Sequence, residues 1–262
     1  MLISYKVINI TFQIHGFSNP EWEKFETKDL TPNFVVDILN KAQEIHGLEY
    51  YENTVIWSYI SRCASEMMLI DKNWEHAVIL PLHNQSYLDR FFCQLFYTHA
   101  VRKKILYLHG SLISYQAHGL MFLGPSNIGK TTQAELWNQY RDALIINGDV
   151  VFVQETEDAF LGWGTPWHGS SPYCENTNVP VHAMIVLKQS PENSIRKLAG
   201  FEKVTAVSQN VFYPRWLENG MELCLETLDH LLKKIPVYEL SCRPDEDAVR
   251  LTEKTVFGKD TV

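Results

Sequence analysis

Residues 124–131 read Gly-Pro-Ser-Asn-Ile-Gly-Lys-Thr, which fits the phosphate-binding loop pattern G-x-x-x-x-G-K-[ST]. The flanks suit that reading. Gly119-Leu120-Met121-Phe122-Leu123 is a short apolar run that predicts a strand entering the loop. Thr132 to Tyr140 predicts a helix leaving it, with Ala134, Leu136 and Trp137 available for burial. Strand, glycine-rich turn and helix together aim successive N–H groups into one concavity and add the positive end of the helix dipole. The residues expected to cradle phosphate are Gly124, Pro125, Ser126, Asn127, Ile128, Gly129, Lys130, Thr131 and Thr132. In such a loop the Lys130 ammonium reaches the outer phosphates and the Thr131 hydroxyl sits on Mg²⁺. The bland alternative is an ordinary turn that matches by accident.

The rest of the chain bounds the answer. Its 262 residues suffice for one large domain or two small ones, and a 45% hydrophobic content suits a globular protein with a core. The net charge of −8, with no block of five like charges, argues against a nucleic-acid phosphate surface. The densest basic run, Arg102-Lys103-Lys104, suits a helix C-terminus. Five cysteines, Cys63, Cys93, Cys174, Cys224 and Cys242, are scattered and never in C-x-x-C spacing. That suits reduced thiols and carries no zinc signature. Met1 to Lys6 lacks the pattern of a signal peptide, and no apolar run approaches the roughly 20 residues that span a bilayer. A cytoplasmic protein without a membrane partner is expected.

The first hundred residues read as mostly β. A strand is expected over 2–14; 34–45 is strand or short helix; 49–60 and 76–81 are strands; Ala64 to Leu69 is a weaker candidate. From Ser86 to Lys104 the period becomes helical, with Leu88, Phe91, Phe92, Leu95, Phe96 and His99 on one face. A second region then begins. Ile105 to Leu108 is a strand expected to end at His109-Gly110-Ser111. Ala143 to Ile146 is a buried strand ending at Asn147-Gly148-Asp149, and Val150 to Val153 continues as β. Residues 162–169 form a loop dense in glycine and aromatics. Val181 to Leu187 and Val237 to Leu240 are strands. Residues 201–234 are helical with breaks near Pro214 and Gly220, and Asp245 opens a last helix. The expected organisation is therefore a mostly β region over 1–100 and a nucleotide-binding α/β domain over 101–262.

Asp149 is the second anchor, because nucleotide-binding folds keep a carboxylate for Mg²⁺ after a strand downstream of the loop. A hard cation bridging phosphates needs only one or two carboxylates and keeps several waters. Against this, Asn147-Gly148 is a strong hairpin signal, and Asp149 could simply belong to the turn. Both readings stand.

The order of His109-Gly110, the Gly124–Thr131 loop and a strand ending in Asp149 resembles bacterial HPr kinase/phosphorylase and its relatives of the phosphoenolpyruvate-carboxykinase-like P-loop fold. The resemblance covers roughly residues 101–256. Gly164-Thr165-Pro166-Trp167-His168-Gly169 and Cys242-Arg243-Pro244-Asp245-Glu246 look like a branch of that family, some of whose relatives phosphorylate serine in peptide precursors, while more distant ones act on free serine. The resemblance implies an ATP- and Mg²⁺-dependent kinase acting on a hydroxyl, with serine of a peptide or protein as the favoured acceptor and a small hydroxylated metabolite as the alternative. It also implies Thr131 and Asp149 as metal ligands. Lys130, Asp149, His109 and His168 become the catalytic candidates, with His109 matching the family's histidine. Homo-oligomers are compatible with it.

Three departures matter. Asn127 stands where the family has glycine, though asparagine tolerates positive φ. Gly148-Asp149 replaces paired aspartates, which removes the usual proton acceptor and supports a rival reading as a sensor that binds nucleotide without turnover. No Glu-x-Arg-Gly segment is found, which speaks against the reverse, phosphorylase reaction. Loss of one aspartate need not abolish transfer, since positioning and charge stabilisation dominate phosphoryl transfer. His109, Asp149 or His168 could take the late proton, with His109 favoured because its position matches the family's histidine. Trp163 and Trp167 are candidates to wall a substrate pocket, and Arg215, Arg243 and Lys188 are candidates to stabilise transferred charge. The N-terminal region is expected to recruit an extended peptide at a strand edge or merely to pack.

Overall fold

The computed structural model describes residues 2–39, 57–63, 66–80 and 86–258. The chain divides into two units, Met1–Ala100 and Val101–Val262.

The first unit is a six-stranded sheet with a helix. Strands β1 (Leu2–Val7), β2 (Ile10–His15), β3 (Phe34–Ile38), β4 (Trp57–Cys63), β5 (Glu66–Asp71) and β6 (His76–Ile79) lie in the order β1-β2-β3-β6-β5-β4. The pairs β2–β3 and β3–β6 are parallel and the others antiparallel. Helix α1 (Ser86–Val101) follows. Its expected face is buried at Leu88, Phe91, Phe92, Leu95 and Phe96, and His99 Nε2 donates to the Trp74 carbonyl at 2.7 Å. The core is aromatic: Trp22, on a short 3₁₀ turn over Pro20–Phe25, packs edge-on to Tyr5, Phe12, Phe17 and Phe92.

The single strand expected over 2–14 is two strands. Val7 pairs with Ile10 across a two-residue loop, and Ile8 there takes φ +59°. β-Branched residues seldom adopt that conformation, so the pattern of residues carried no turn signal. Residues 34–38 are strand. Positions 40–45 and 49–56 of the expected elements, with 64, 65 and 81, lie outside the described residues. The free edge proposed for peptide recruitment is partly taken on the β1 side, where Thr27 donates to the Ser4 carbonyl and Glu26 bridges Tyr5.

The second unit is built round strand β7 (Ile105–Tyr115), which runs straight through His109-Gly110-Ser111 rather than ending there. Gly110 makes that possible. A Cβ at this position would come within 2.9 Å of the Phe122 carbonyl oxygen on the neighbouring strand. β7 turns through Gln116 and Ala117, both at positive φ, into antiparallel β8 (His118–Leu123). Its other edge is shared. β10 (Val150–Glu155) pairs with residues 105–109, and β9 (Leu144–Asn147) pairs with residues 112–114. β9 and β10 therefore do not form a hairpin with each other. Asn147-Gly148-Asp149 is instead a step between two strands on one edge of β7.

β11 (Phe160–Trp163) extends the sheet beyond β10, so the first two residues of the expected 162–169 loop are strand. On the other side lie β12 (Asn178–Gln189), β14 (Val237–Cys242) and β13 (Ser194–Lys197). β8, β12 and β14 are parallel, and their C-terminal ends converge on the loop that follows β8. Helix α2 (Lys130–Arg141) leaves that loop and buries Ala134 and Trp137 against Phe122, Ile185 and Leu240, together with Val249 of α5 (Glu246–Phe257). The stretch 201–234 resolves into α3 (Gly200–Ser208) and α4 (Gly220–Lys234). α5 is capped by Asp245, which accepts from the Ala248 N–H at 3.0 Å. No helix among the described residues is long and apolar enough to cross a membrane.

Candidate functional site

The 124–131 segment takes the backbone that its sequence asks for. Gly124 lies at φ +144°, Asn127 at +65° and Gly129 at +111°. Asn127 thus does the work expected of a glycine, since asparagine is among the side chains that tolerate the left-handed region. No side chain caps the N-terminus of α2, so its first N–H groups, which have no carbonyl within the helix, remain donors for an anion. The Lys130 ammonium donates to the carbonyls of Gly124 and Pro125, both at 3.0 Å. It lies against the loop and is nearly buried. That burial lowers its pKa, with Asp149 opposing the shift.

Facing the loop is the step between β9 and β10. Asn147 is fully buried and organises it. Its Oδ1 accepts from the N–H groups of Asp149 and Val150, both at 2.9 Å, and its Nδ2 donates to the carbonyls of Thr165 (3.1 Å) and Trp167 (3.2 Å). Asp149 is thereby turned toward Lys130 and His109. His109 Nδ1 is 3.2 Å from Asp149 Oδ1. Burial, and then the positive charge of Lys130, depress the His109 pKa, while Asp149 pulls the other way. Thr131 Oγ1 donates to the Gly148 carbonyl at 3.3 Å. His109, Ser126, Asn127, Gly129, Lys130, Thr131, Thr132, Gly148, Asp149 and Ser170 line one cavity of about 390 Å³.

Gly124, Pro125 and Ile128 shape the loop behind that cavity. His168 is not among the lining residues; its Nδ1 is held by the Ser171 carbonyl. Trp163 and Trp167 do not wall the cavity either. Trp163 donates to Gln154 Oε1 at 3.2 Å, and Trp167 is 5% exposed and packs against Phe152. Arg215 and Lys188 are exposed away from the lining. Arg243 lines an adjoining cavity and pairs with Asp245 at 2.8 Å.

The volume next to Gly148 is filled by this chain itself. A Cβ there would fall 1.8 Å from Ser171 Oγ and 2.5 Å from Ser171 Cβ. The 168–171 segment also covers Asp149, since a Cβ on Gly169 (φ +60°) would lie 2.4 Å from Asp149 Oδ2.

Three positioning residues carried no signal in the sequence. Asn210, at the end of α3, accepts the Gly124 N–H on its Oδ1 (2.9 Å) and the His109 N–H on its carbonyl (2.8 Å), and so ties the loop to β7. Ser111 Oγ, fully buried, donates to the Lys130 carbonyl at 2.9 Å. Gln133 lies buried on the first turn and a half of α2. Polar residues at such positions read as solvent-facing until the fold is known.

No family model matches the chain, and no curated protein matches it. Among solved structures, the Hpr(Ser) kinase/phosphatase from Coxiella burnetii is similar at 13% identity and a TM-score of 0.34, covering 58% of this chain and 97% of that one.

Proposed function

We propose that the second unit binds a nucleoside triphosphate with Mg²⁺ and transfers its terminal phosphoryl group to a hydroxyl, with a serine of a peptide or protein as the favoured acceptor. The observation that carries this reading is the convergence of Lys130, Thr131, Asp149 and His109 on one cavity at the uncapped N-terminus of α2. Backbone N–H groups and the ammonium suit phosphate oxygens. The Thr131 hydroxyl and the Asp149 carboxylate are hard oxygen donors in the same lining. Among the described residues no cluster of three or more His, Cys, Asp or Glu could hold a metal ion. Two oxygen donors suit Mg²⁺, which relies on few protein ligands plus phosphate and water. Bound there, Mg²⁺ would supply neutralisation of phosphate charge.

The chain's own groups then divide the work. The loop N–H groups and Lys130 orient the phosphates and stabilise charge at their outer oxygens. Asp149, with Oδ1 3.2 Å from His109 Nδ1, favours the tautomer protonated there and leaves Nε2 free to take the acceptor's proton. The depressed His109 pKa keeps the imidazole neutral at neutral pH, as a proton acceptor requires. A second reading, nucleotide binding without turnover, is favoured by one observation: Ser171 occupies the volume beside Gly148 where a second carboxylate would project. Incubation with ATP·Mg²⁺ and serine-bearing peptides, followed by mass spectrometry for phosphate, tests the first reading. ATP binding with neither transfer nor slow hydrolysis would favour the second.

A further inference from the structure

The 168–171 segment that covers Asp149 is a tight turn. The Ser171 N–H donates to the His168 carbonyl at 3.1 Å, and Gly169, the first of the two central residues, takes φ +60°. A positive φ at that place marks the turn types that favour glycine. Both ends of the turn are held. His168 Nδ1 donates to the Ser171 carbonyl, and the buried Ser171 side chain fills the space beside Gly148. Gly169 itself lies so close to the Asp149 carboxylate that a Cβ would fall 2.4 Å from Oδ2. The second central residue, Ser170, is the tip. It is exposed, and it lines the phosphate cavity together with Lys130, Asp149 and His109. Its hydroxyl has no hydrogen-bond partner among the described residues.

The hydroxyls in that lining belong to Ser126, Thr131, Thr132 and Ser170. The first three sit on the loop and the first turn of α2, the wall that would hold the phosphates, and Thr131 Oγ1 is already bonded to the Gly148 carbonyl at 3.3 Å. Ser170 comes instead from the side of Gly148 and Asp149. Phosphoryl transfer needs the attacking oxygen roughly in line with the leaving oxygen, so an acceptor has to enter from the side away from the phosphate wall. We infer that Ser170 is a modification site: its hydroxyl accepts the terminal phosphoryl group of a nucleotide bound to its own chain. This inference rests on the phosphotransfer reading proposed above, and it names an acceptor within the protein. In the step, Ser170 Oγ forms a bond to the terminal phosphorus while the bond from that phosphorus to its bridging oxygen breaks. The nucleoside diphosphate leaves with the bonding electrons, and the Oγ proton passes to His109 Nε2 and then to water. An acceptor carried on the same chain needs no second encounter, which is the advantage of an intramolecular reaction.

The test is incubation of the full chain, first treated with phosphatase and freed of it, with ATP·Mg²⁺ in the absence of any peptide. Intact mass gives the number of phosphates, and tandem mass spectrometry of digests gives their place. Expected for the parent is a single phosphate per chain, on Ser170, gained at a rate per chain that stays constant over an about tenfold range of protein concentration, as transfer within one molecule requires. Ser170→Ala should lose that phosphate, and Lys130→Ala should gain none. Phosphate on an added serine-bearing peptide with none on Ser170 would overturn this inference and leave the proposed function standing. Phosphate only at another residue, or a rate that rises with protein concentration, would overturn it as well. Equal modification of Lys130→Ala would assign the reaction to a contaminating kinase and overturn it too. Phosphate on neither chain nor peptide, with ATP bound, would overturn the phosphotransfer reading itself. The site mapping in the parent needs no variant, so a variant that fails to fold does not remove the test.

Discussion

Gly148→Ala is the substitution whose outcome the structure specifies most narrowly. Gly148 is not in the left-handed region, so alanine meets no backbone penalty there and the only obstacle is space. The new methyl carbon would sit 1.8 Å from Ser171 Oγ and 2.5 Å from Ser171 Cβ, while the next neighbour, Tyr173 Cδ2, is at an ordinary 3.7 Å. Ser171 is itself buried, so it has no open space to retreat into. Overpacking of this kind costs about 1–3 kcal/mol. For a unit of this size, each kcal/mol lowers Tm by about 2–4 °C. Moving Ser171 also moves the 168–171 backbone that covers Asp149, so phosphotransfer should fall more than ATP affinity. Ser171→Gly removes both offending atoms and loses only the 3.3 Å bond from the Tyr173 N–H to Ser171 Oγ, about 1 kcal/mol. The double variant should therefore be more stable than the sum of the singles by at least about 1 kcal/mol, a coupling energy of the size that touching residues show. Thermal melts by circular dichroism of the four proteins, with ATP·Mg²⁺ turnover alongside, measure it. Additive melting shifts, or a Gly148→Ala protein as stable as the parent, would refute the claim that Ser171 owns this volume.

Lys130→Ala should weaken ATP·Mg²⁺ binding by isothermal titration and abolish transfer; unchanged affinity in a folded variant would make the loop match accidental. Asp149→Asn should hold ATP affinity within about tenfold yet remove most Mg²⁺-dependent turnover, and normal turnover at limiting Mg²⁺ would exclude Asp149 as a ligand. His109 has its pKa depressed by burial and by Lys130, so the parent rate should fall only as pH drops below the usual histidine value near 6.5. The His109→Gln protein should lose that acid limb, and an unaltered pH profile would exclude the imidazole as proton acceptor. The same depressed pKa implies that the unfolded chain binds this proton more readily, so its contribution to stability is complete above about pH 6.5 and is lost as pH falls toward the folded value.

What the sequence disclosed, and what it withheld, follows from how far each feature reaches along the chain. The loop was legible because its requirements are local: glycine or asparagine where φ is positive, lysine and threonine at the start of a helix, an apolar strand before it. Helices α1, α2 and α5 were legible for the same reason, their faces being written at 3.6-residue spacing. Asn147-Gly148-Asp149 was ambiguous because local chemistry allows both a hairpin and a ligand turn. The ambiguity breaks only on knowing that β9 and β10 both pair with β7, a fact about residues some 30–50 positions away. His109-Gly110 looked like a strand end because glycine punctuates strands. In the fold it instead lets Phe122 approach, and β7 continues. Asn210 reaches Gly124 across 86 positions, and Gln133 reaches Cys242 across 109. A polar residue on a helix carries no mark of such a partner, because the pattern of burial that would single it out exists only after the parallel strands are stacked. The same holds for Ser171. Read along the chain, Gly148 is an ordinary turn glycine; in the fold, the volume beside it belongs to a serine 23 residues downstream. Gly148 and the packing of the 168–171 segment over Asp149 are thus one feature of this site, and any change that places a carboxylate at 148 must first remove the Ser171 side chain.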